Sequence, residues 1–396
     1  MNNKDLEYIY NNIPYEKNIY KNKVNYNLPA MHIEALKSLK FNYKLNSARH
    51  SYQKAIDILR KNGSSITRIQ PPRYLTNGRL GNRILVNKLS TEQLLNKFNI
   101  PTPRSKVYSI DEMVQAKEEF FSNNINSKAV IKPYSGSLGK GVLVNISRDR
   151  FEFNWKELMN TQKNVNKVIV QDFLEGFEAR ATVIEGKLNS VTVRVPPFVK
   201  GDGKHNIEDL IAKKNEERNI CKVLSMAKIK ISTAIIEFLR SHQLTLNSIP
   251  QKDEYILLNS VSNFSYGGEL INVTDLVCNE IKETALNAVA SIPGFYTAGV
   301  DLMLSSFEDV SPKVIEINSY PMLGIAAFPT YGPTTTPSKD YFRAVVSRDQ
   351  FMNNTTDLYE IENSDTYLKT YFKFDRRRTA LYEKFYVALS EIYVNQ

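Results

Sequence analysis

Cysteine is nearly absent from this sequence, and the two present, Cys221 and Cys278, stand far apart. That excludes a disulfide framework and a cysteine-built zinc site, and a reducing cytoplasm is the expected setting. The opening stretch "MNNKDLEYIYNNIPYEKNIYKNK" lacks the apolar core of a signal peptide. No later apolar run reaches the length of a membrane span, so no membrane partner is expected. The four histidines, His32, His50, His205 and His242, are scattered. With no Ser/His/Asp or Cys/His set visible, they read as surface or satisfied structural residues rather than as a nucleophile's base. Acid is in deficit, 42 Asp and Glu against 52 Lys and Arg, for a net charge of +10. The basic residues are dispersed apart from "RRR" at 376–378, and the many tyrosines and phenylalanines carry no RNA-binding signature. Enrichment in Asn, Lys, Ile and Tyr fits the codon bias of an AT-rich genome, so nucleic acid is not the expected partner. A positive field would still suit an anionic nucleotide or an acidic substrate.

What remains is an ordinary globular composition, 42% apolar and 24% charged, in a chain long enough for two or three domains. "PAMHIEALKSLKFNYKL" and "ARHSYQKAIDILRKNG" read as helices, the second stopped by Gly63. "NKLSTEQLLNKFNI" reads as a helix starting near Ser90 or Thr91 and ending before "PTP". Strands then mix with helices: "AVIKP", "VLVNI", "NKVIVQDFL", a hairpin "EARATVIEGKLNSVTVRVP", and a final pair "AGVDLML" and "KVIEIN". Hairpins together with helices predict an α+β fold rather than a purely parallel sheet. "RRRTALYEKFYVALSEIYV" reads as a helical appendage.

The chemistry gathers at three places. In "AVIKPYSGSLGKGVLVNI", Lys132 ends an apolar strand, and Gly136, Gly139 and Gly141 allow a tight loop whose N–H groups could meet phosphate. The loop fits neither the Walker nor the dinucleotide glycine pattern. Asp301 lies on "GVDLML", and Glu316 and Asn318 alternate onto one face of "VIEIN". Two carboxylates and an amide oxygen form a hard donor set suited to Mg²⁺. Between these, "VIVQDFLEGFEAR" reads as a strand running into an adenine hinge, with Glu178 placed for a ribose hydroxyl. A three-residue loop about Gly186 would set Arg194 opposite Glu178, near Arg180, and two guanidiniums suit a transferring phosphoryl group.

With these residues in place, the chain resembles the ATP-grasp superfamily, and within it the carboxylate–amine ligases. The resemblance is to the ATP-grasp part of cyanophycin synthetases and bifunctional glutathione synthetases. It runs from roughly residue 84 to residue 332, through "NKLSTEQLLNKFNIPTP", "VIKPYSGSLGKGV", "RVPPFVKGDGKHNIEDLIAKKN", "SYGGELINVTD" and "VIEINSYP". It implies two α+β subdomains clasping ATP. The matching part divides into a small subdomain with the glycine loop at 84–170 and a large subdomain with the metal site at 171–335. Residues 1–83, which do not match the relatives' N-terminal regions, are expected to form a reduced N-terminal domain, and 336–396 a helical appendage. Lys88 and Lys132 match lysines on the α- and β-phosphates. Ser135, Gly136, Ser137, Gly139 and Gly141 match the mobile loop over the triphosphate. Gln171, Asp172, Phe173 and Leu174 match the adenine hinge, and Glu178 the ribose carboxylate. Arg180, Arg194 and Lys132 match groups at the transferring phosphate and acyl phosphate. Asp301, Glu316 and Asn318 match ligands of two Mg²⁺ ions, a site that Mn²⁺ could also fill.

The implied reaction joins a carboxylate, activated by ATP as an acyl phosphate, to an amine, with amino acids or short peptides as substrates. A homodimer stays open. Two other readings compete: an enzyme forming ester or amide cross-links in a ribosomal peptide precursor, and a basic nucleic-acid-binding or non-catalytic protein. The chain departs from the family at Gln171, where an acid is common, and at Pro321-Met322, where Pro-Gly is common. "AAFPTYG" lacks a histidine often found there.

Overall fold

The computed structural model describes residues 1–21, 27–47, 54–134, 141–162, 165–262, 264–353 and 358–394, with side chains to residue 387. Helix α1 (Asn3–Asn11) opens with a capping box: Asn2 accepts from the Asp5 N–H, and Asp5 accepts from the Asn2 N–H. Helix α2 (Leu28–Leu39) stops at Lys40, which takes a left-handed conformation. Strands β1 (Tyr43–Ser47), β2 (Lys54–Leu59), β3 (Ser65–Gln70) and β4 (Arg73–Tyr74) form an antiparallel sheet in that order. Of the expected helix over 48–63, residues 48–53 lie outside the described residues and the rest is overturned, because 54–59 is the strand β2. Its Ile56 and Ile58 bury beside Ile69 and Tyr74, and Asp57 stands opposite Arg68, which donates to it from both Nε and Nη2. Burial of alternate isoleucines and a cross-strand ion pair outweigh the helix-like spacing.

Helices α3 (Arg79–Val86) and α4 (Lys88–Lys97) meet at Asn87. The second starts at Lys88, earlier than Ser90, because the Asn87 side chain caps it by accepting the Ser90 N–H at 3.1 Å. A smaller sheet follows, built from β5 (Ser105–Ser109), β6 (Ala129–Pro133), β7 (Leu143–Ile146) and β8 (Lys167–Asp172) in the antiparallel order β5-β8-β6-β7. Helices α5 (Met113–Phe121) and α6 (Phe151–Thr161) cover one face, packing Phe120, Phe121, Phe151 and Trp155 on Ala129, Ile131, Val168 and Val170. The register leaves Val130, Lys132, Gln171 and Ser105 on the other face.

The larger sheet decides the site. It consists of β9 (Phe177–Ile184), β10 (Lys187–Val195), β13 (Glu269–Asn272), β14 (Ala298–Leu304) and β15 (Lys313–Asn318) in the antiparallel order β13-β10-β9-β14-β15. Between β10 and β13 the chain makes a two-stranded ribbon, β11 (Phe198–Lys200) with β12 (Tyr255–Leu257), and helices α7 (Ile207–Ile220) and α8 (Thr233–Ser241). These close around their own core of Val199, Ile207, Ile211, Leu239 and Ile256. Helix α9 (Asn279–Ser291) covers the apolar face of the larger sheet, where Ala179, Ala181, Val191, Val193, Val300 and Leu302 meet Ile281, Ala285 and Val289. Each valine, leucine or isoleucine side chain taken fully from water contributes about 1.5–3 kcal/mol, and each alanine less.

Residues 1–83 divide between two cores. Leu6 and Ile9 of α1 join the larger sheet's core, whereas α2, β2 and β3 pack with Tyr341, Phe342 and Val345. Those three belong to α11 (Pro337–Asn353), which follows the short α10 (Gly324–Ala327) and precedes α12 (Ser364–Val394). The α12 helix lays Phe374 against Gly186 in the β9–β10 turn, where an added Cβ would sit 2.6 Å from the phenylalanine. Among the described residues no helix is long and apolar enough to cross a membrane.

Candidate active site

Alternation makes the second face of the larger sheet polar. Odd positions of β9 (Phe177, Ala179, Ala181, Val183) point into the core, so Glu178, Arg180 and Thr182 point away from it. The β9–β10 turn is two residues, Glu185 and Gly186, both at positive φ, instead of the three expected. A bulge between Leu188 and Ser190 supplies the missing offset, so Arg194 does come opposite Glu178. Arg194 Nη2 lies 2.6 Å from Glu178 Oε2 and 3.5 Å from Asp301 Oδ2. Its Nε is buried without a hydrogen-bond partner among the described residues.

Arg180 stands directly opposite Asp301 on β14 and donates to both carboxylate oxygens, from Nε to Oδ1 and from Nη2 to Oδ2 at 2.9 Å. Both side chains are buried. Burial works against ionisation of Asp301, but Arg180 and then Arg194 outweigh it and hold the carboxyl below its ordinary pKa. Gly299 makes room for this pair. A Cβ there would fall 2.9 Å from Arg180 Cδ and 3.0 Å from Pro321 Cβ. Gly299→Ala is therefore expected to push Arg180 out of line, lowering kcat about tenfold to a hundredfold while costing about 1–3 kcal/mol of stability. Steady-state kinetics alongside urea unfolding would check both.

Across β14, Asp301 pairs with Glu316 and Gly299 with Asn318, so all three expected metal donors share the polar face. Asn318 Nδ2 also donates to Asp301 Oδ2 at 3.3 Å. Among the described residues no group of three or more His, Cys, Asp or Glu side chains gathers as a metal site; here the donors are two carboxylates and an amide. A carboxylate offers about four lone-pair directions, so Asp301 keeps capacity beyond the arginine and the amide. Glu316 is half-exposed, and among the described residues it forms an ion pair with Lys88, at 3.6 Å. That donor set fits a hard divalent cation.

Lys88, the first residue of α4, and Lys132, near the end of β6, approach from separate elements. Lys132 Nζ donates to Gln171 Oε1 at 2.8 Å. Burial, together with the nearby Lys88 charge, lowers Lys132 to about 8, against the pull of Glu92 and Glu316. Having glutamine in place of an acid at 171 leaves this ammonium without an anionic hydrogen-bond partner. Beyond it, Asp172 and Phe173 give their backbone N–H groups to the carbonyls of Arg104 and Lys128, each at 2.9 Å. Asp172 also pairs with Arg104 at 3.2 Å. Of the hinge 171–174, this leaves the Leu174 N–H as the candidate donor to a base. Of the glycine loop, Gly141 has φ +70, while Ser135, Gly136, Ser137 and Gly139 lie outside the described residues.

Sequence reasoning passed over Glu92. It sits one helical turn after Lys88, receives both the N–H and the hydroxyl of Ser105, and so ties α4 to the smaller sheet beside Lys132. The i, i+4 spacing from Lys88 was the available signal.

The family model "Phosphoribosylglycinamide synthetase, ATP-grasp (A) domain" matches residues 86–200. The crystal structure of a bifunctional glutathione synthetase from Pasteurella multocida superposes with a TM-score of 0.60 at 22% identity, covering 81% of this chain and 43% of that one. The chain carries an ATP-grasp domain. The glutathione biosynthesis bifunctional protein GshAB of Clostridium perfringens (strain 13 / Type A) is 31% identical over 258 residues, 63% of this chain and 32% of its own length. The cyanophycin synthetase of Crocosphaera subtropica (strain ATCC 51142 / BH68) is 31% identical over 278 residues, 67% of this chain and 31% of its own. The chain thus spans about a third of the length of the curated relatives it matches. Within that fold, Lys88 comes from α4, which packs on β15, Lys132 from the smaller sheet, and the polar face from the larger one.

Proposed function

We propose that the chain is an ATP-dependent ligase that activates a carboxylate as an acyl phosphate and joins it to an amine. One observation carries the reading. Lys88 and Lys132 converge on the region where Glu316 of the polar face stands, close enough that both Lys88 and Glu316 perturb the Lys132 ammonium. Two cations facing a carboxylate donor set suit a metal-bound polyphosphate and little else. The relatives' names, a cyanophycin synthetase and a glutathione biosynthesis protein, support a bond-forming role.

In this reading Lys88 and Lys132 hold the α- and β-phosphates, Glu178 takes the ribose, and Leu174 offers its N–H to adenine. Asp301, Glu316 and Asn318 would hold Mg²⁺, which supplies charge neutralisation on the phosphates. The substrate carboxylate attacks the γ-phosphorus, its new P–O bond replacing the bond to ADP. The amine nitrogen then adds to the acyl carbon, and phosphate leaves with the C–O bond. Arg180, locked to Asp301, orients the transferring phosphoryl group. Arg194, with an unpartnered Nε, faces the oxyanion, where a charged donor is worth most. Amino acids or short peptides are the proposed substrates, a choice the relatives' names support.

The test is ADP and phosphate release with ATP and Mg²⁺ against amino acids and dipeptides, singly and in pairs, with product masses. A product equal to acid plus amine minus water establishes the ligase. ATP binding without turnover on any pair moves the substrate to a larger peptide or protein. Absence of ATP binding removes the reading.

A further inference from the structure

Asn87 occupies the joint between α3 and α4, immediately before Lys88, with extended backbone. Both ends of its amide are used. Oδ1 accepts the Ser90 N–H at 3.1 Å, and Nδ2 donates to the Tyr134 hydroxyl at 2.7 Å. Its carbonyl accepts the Thr91 N–H and hydroxyl, each at 3.0 Å, so the residue is fixed from three sides. Tyr134 sits two residues after Lys132, and its own N–H is tied to the Lys167 carbonyl at 3.0 Å, continuing the pairing of β6 with β8. One side chain therefore joins the start of the Lys88 helix to the strand end that carries Lys132. The two ammoniums repel, as the Lys88 contribution to the lowered Lys132 shows. Glu316 draws on both lysines, and Glu92 ties α4 to Ser105, but the Asn87–Tyr134 bond is the link that reaches the strand end of Lys132 from the residue next to Lys88.

We propose that Asn87, acting through Tyr134, is a positioning residue that fixes the spacing of Lys88 and Lys132 and so the seat of the polyphosphate. This rests on the nucleotide reading above, but it assigns to Asn87 and Tyr134 a role that neither the resemblance nor the glycine loop requires. The bond touches no phosphate itself. Its effect should therefore scale with the number of phosphates that bridge the two lysines, whereas a merely structural role would weaken every ligand alike.

The experiment is calorimetric titration of adenosine, ADP and ATP, with Mg²⁺, into the full chain and into two variants. Tyr134→Phe removes one hydroxyl from a half-buried ring. Asn87→Ser keeps a side-chain oxygen for the Ser90 cap but is too short to reach Tyr134. Each variant is expected to bind ATP about tenfold more weakly, about 1.4 kcal/mol, and adenosine as the unaltered chain does. The double variant should lose no more than either single one, because both break the same bond. Equal losses for adenosine and ATP, or additive losses in the double variant, would overturn the proposal while leaving the nucleotide reading intact. No ATP binding by the unaltered chain overturns both.

Discussion

Asp301→Ala is expected to cost about 3–5 kcal/mol of folding stability, whereas Glu316→Ala should cost about 1 kcal/mol at most, although both abolish ADP formation. The difference follows from burial. Asp301 is 5% exposed and Arg180 7%, and their two hydrogen bonds are what permit a guanidinium under the sheet's polar face. Removing the carboxylate strands Arg180, and Arg194 loses its second partner. Glu316 has a half-exposed side chain, paired at 3.6 Å with an equally exposed Lys88, and water replaces that pair at little cost. Urea unfolding of the two variants checks the split, and indistinguishable midpoints would contradict it. The pH dependence has a defined sign. Arg180 and Arg194 hold Asp301 below its ordinary pKa against the effect of burial. Its stabilising contribution is therefore present above the ordinary carboxylate value and is lost as pH falls through the lowered one. Inactivity of Asp301→Ala alone would not identify a metal ligand, because it also dislodges the arginines. For Glu316→Ala, which also frees Lys88, a fully folded variant whose activity is lost together with a shifted Mg²⁺ dependence would.

How far these roles can be read from the chain depends on whether the controlling contact is local. Alternation along 177–184 places Glu178 and Arg180 on one face of their strand, and along 313–318 Glu316 and Asn318 on one face of theirs, because a strand's period needs no knowledge of its neighbours. The opposition of Arg194 to Glu178 was also legible, though by a compensating pair of features: a shorter turn and a bulge. The Arg180–Asp301 pair was not. It requires β9 to lie between β10 and β14, a neighbour relation between strands more than a hundred residues apart in sequence. Residues 54–59 misled for the same reason. Ile56 and Ile58 are buried by partners from β3, β4 and α11, which local spacing cannot report. Asn87 lay within reach, since an asparagine before "KLS" is a helix cap signal, and reading it would have placed Lys88 on the first turn.

Lys132→Ala is expected to weaken ATP binding about tenfold to a hundredfold, the worth of a charged hydrogen bond of about 1.5–3 kcal/mol, and the loss should itself depend on pH. In the unliganded protein this lysine is lowered to about 8, first by burial and then by Lys88, and its hydrogen-bond partner Gln171 is neutral. Below that value the ammonium is ready for phosphate. Above it, binding must first recapture a proton, so ATP affinity should fall toward tenfold per pH unit as pH rises past about 8. Adenosine, with no phosphate, should show no such fall. Two substitutions locate the cause. Lys132→Arg, whose guanidinium stays charged throughout, should flatten the profile even if its geometry lowers affinity overall. Gln171→Glu places a carboxylate at the ammonium, favours its charged form, and should move the break upward. Titrations from about pH 7 to about pH 9.5, spanning the expected break, would read all three curves. A flat profile in the unaltered chain would mean that Lys132 carries its proton throughout this range regardless of its burial. The coupling of Lys132 to Lys88 predicts the further result that Lys88→Ala shifts the Lys132 break upward, because the repelling charge is gone.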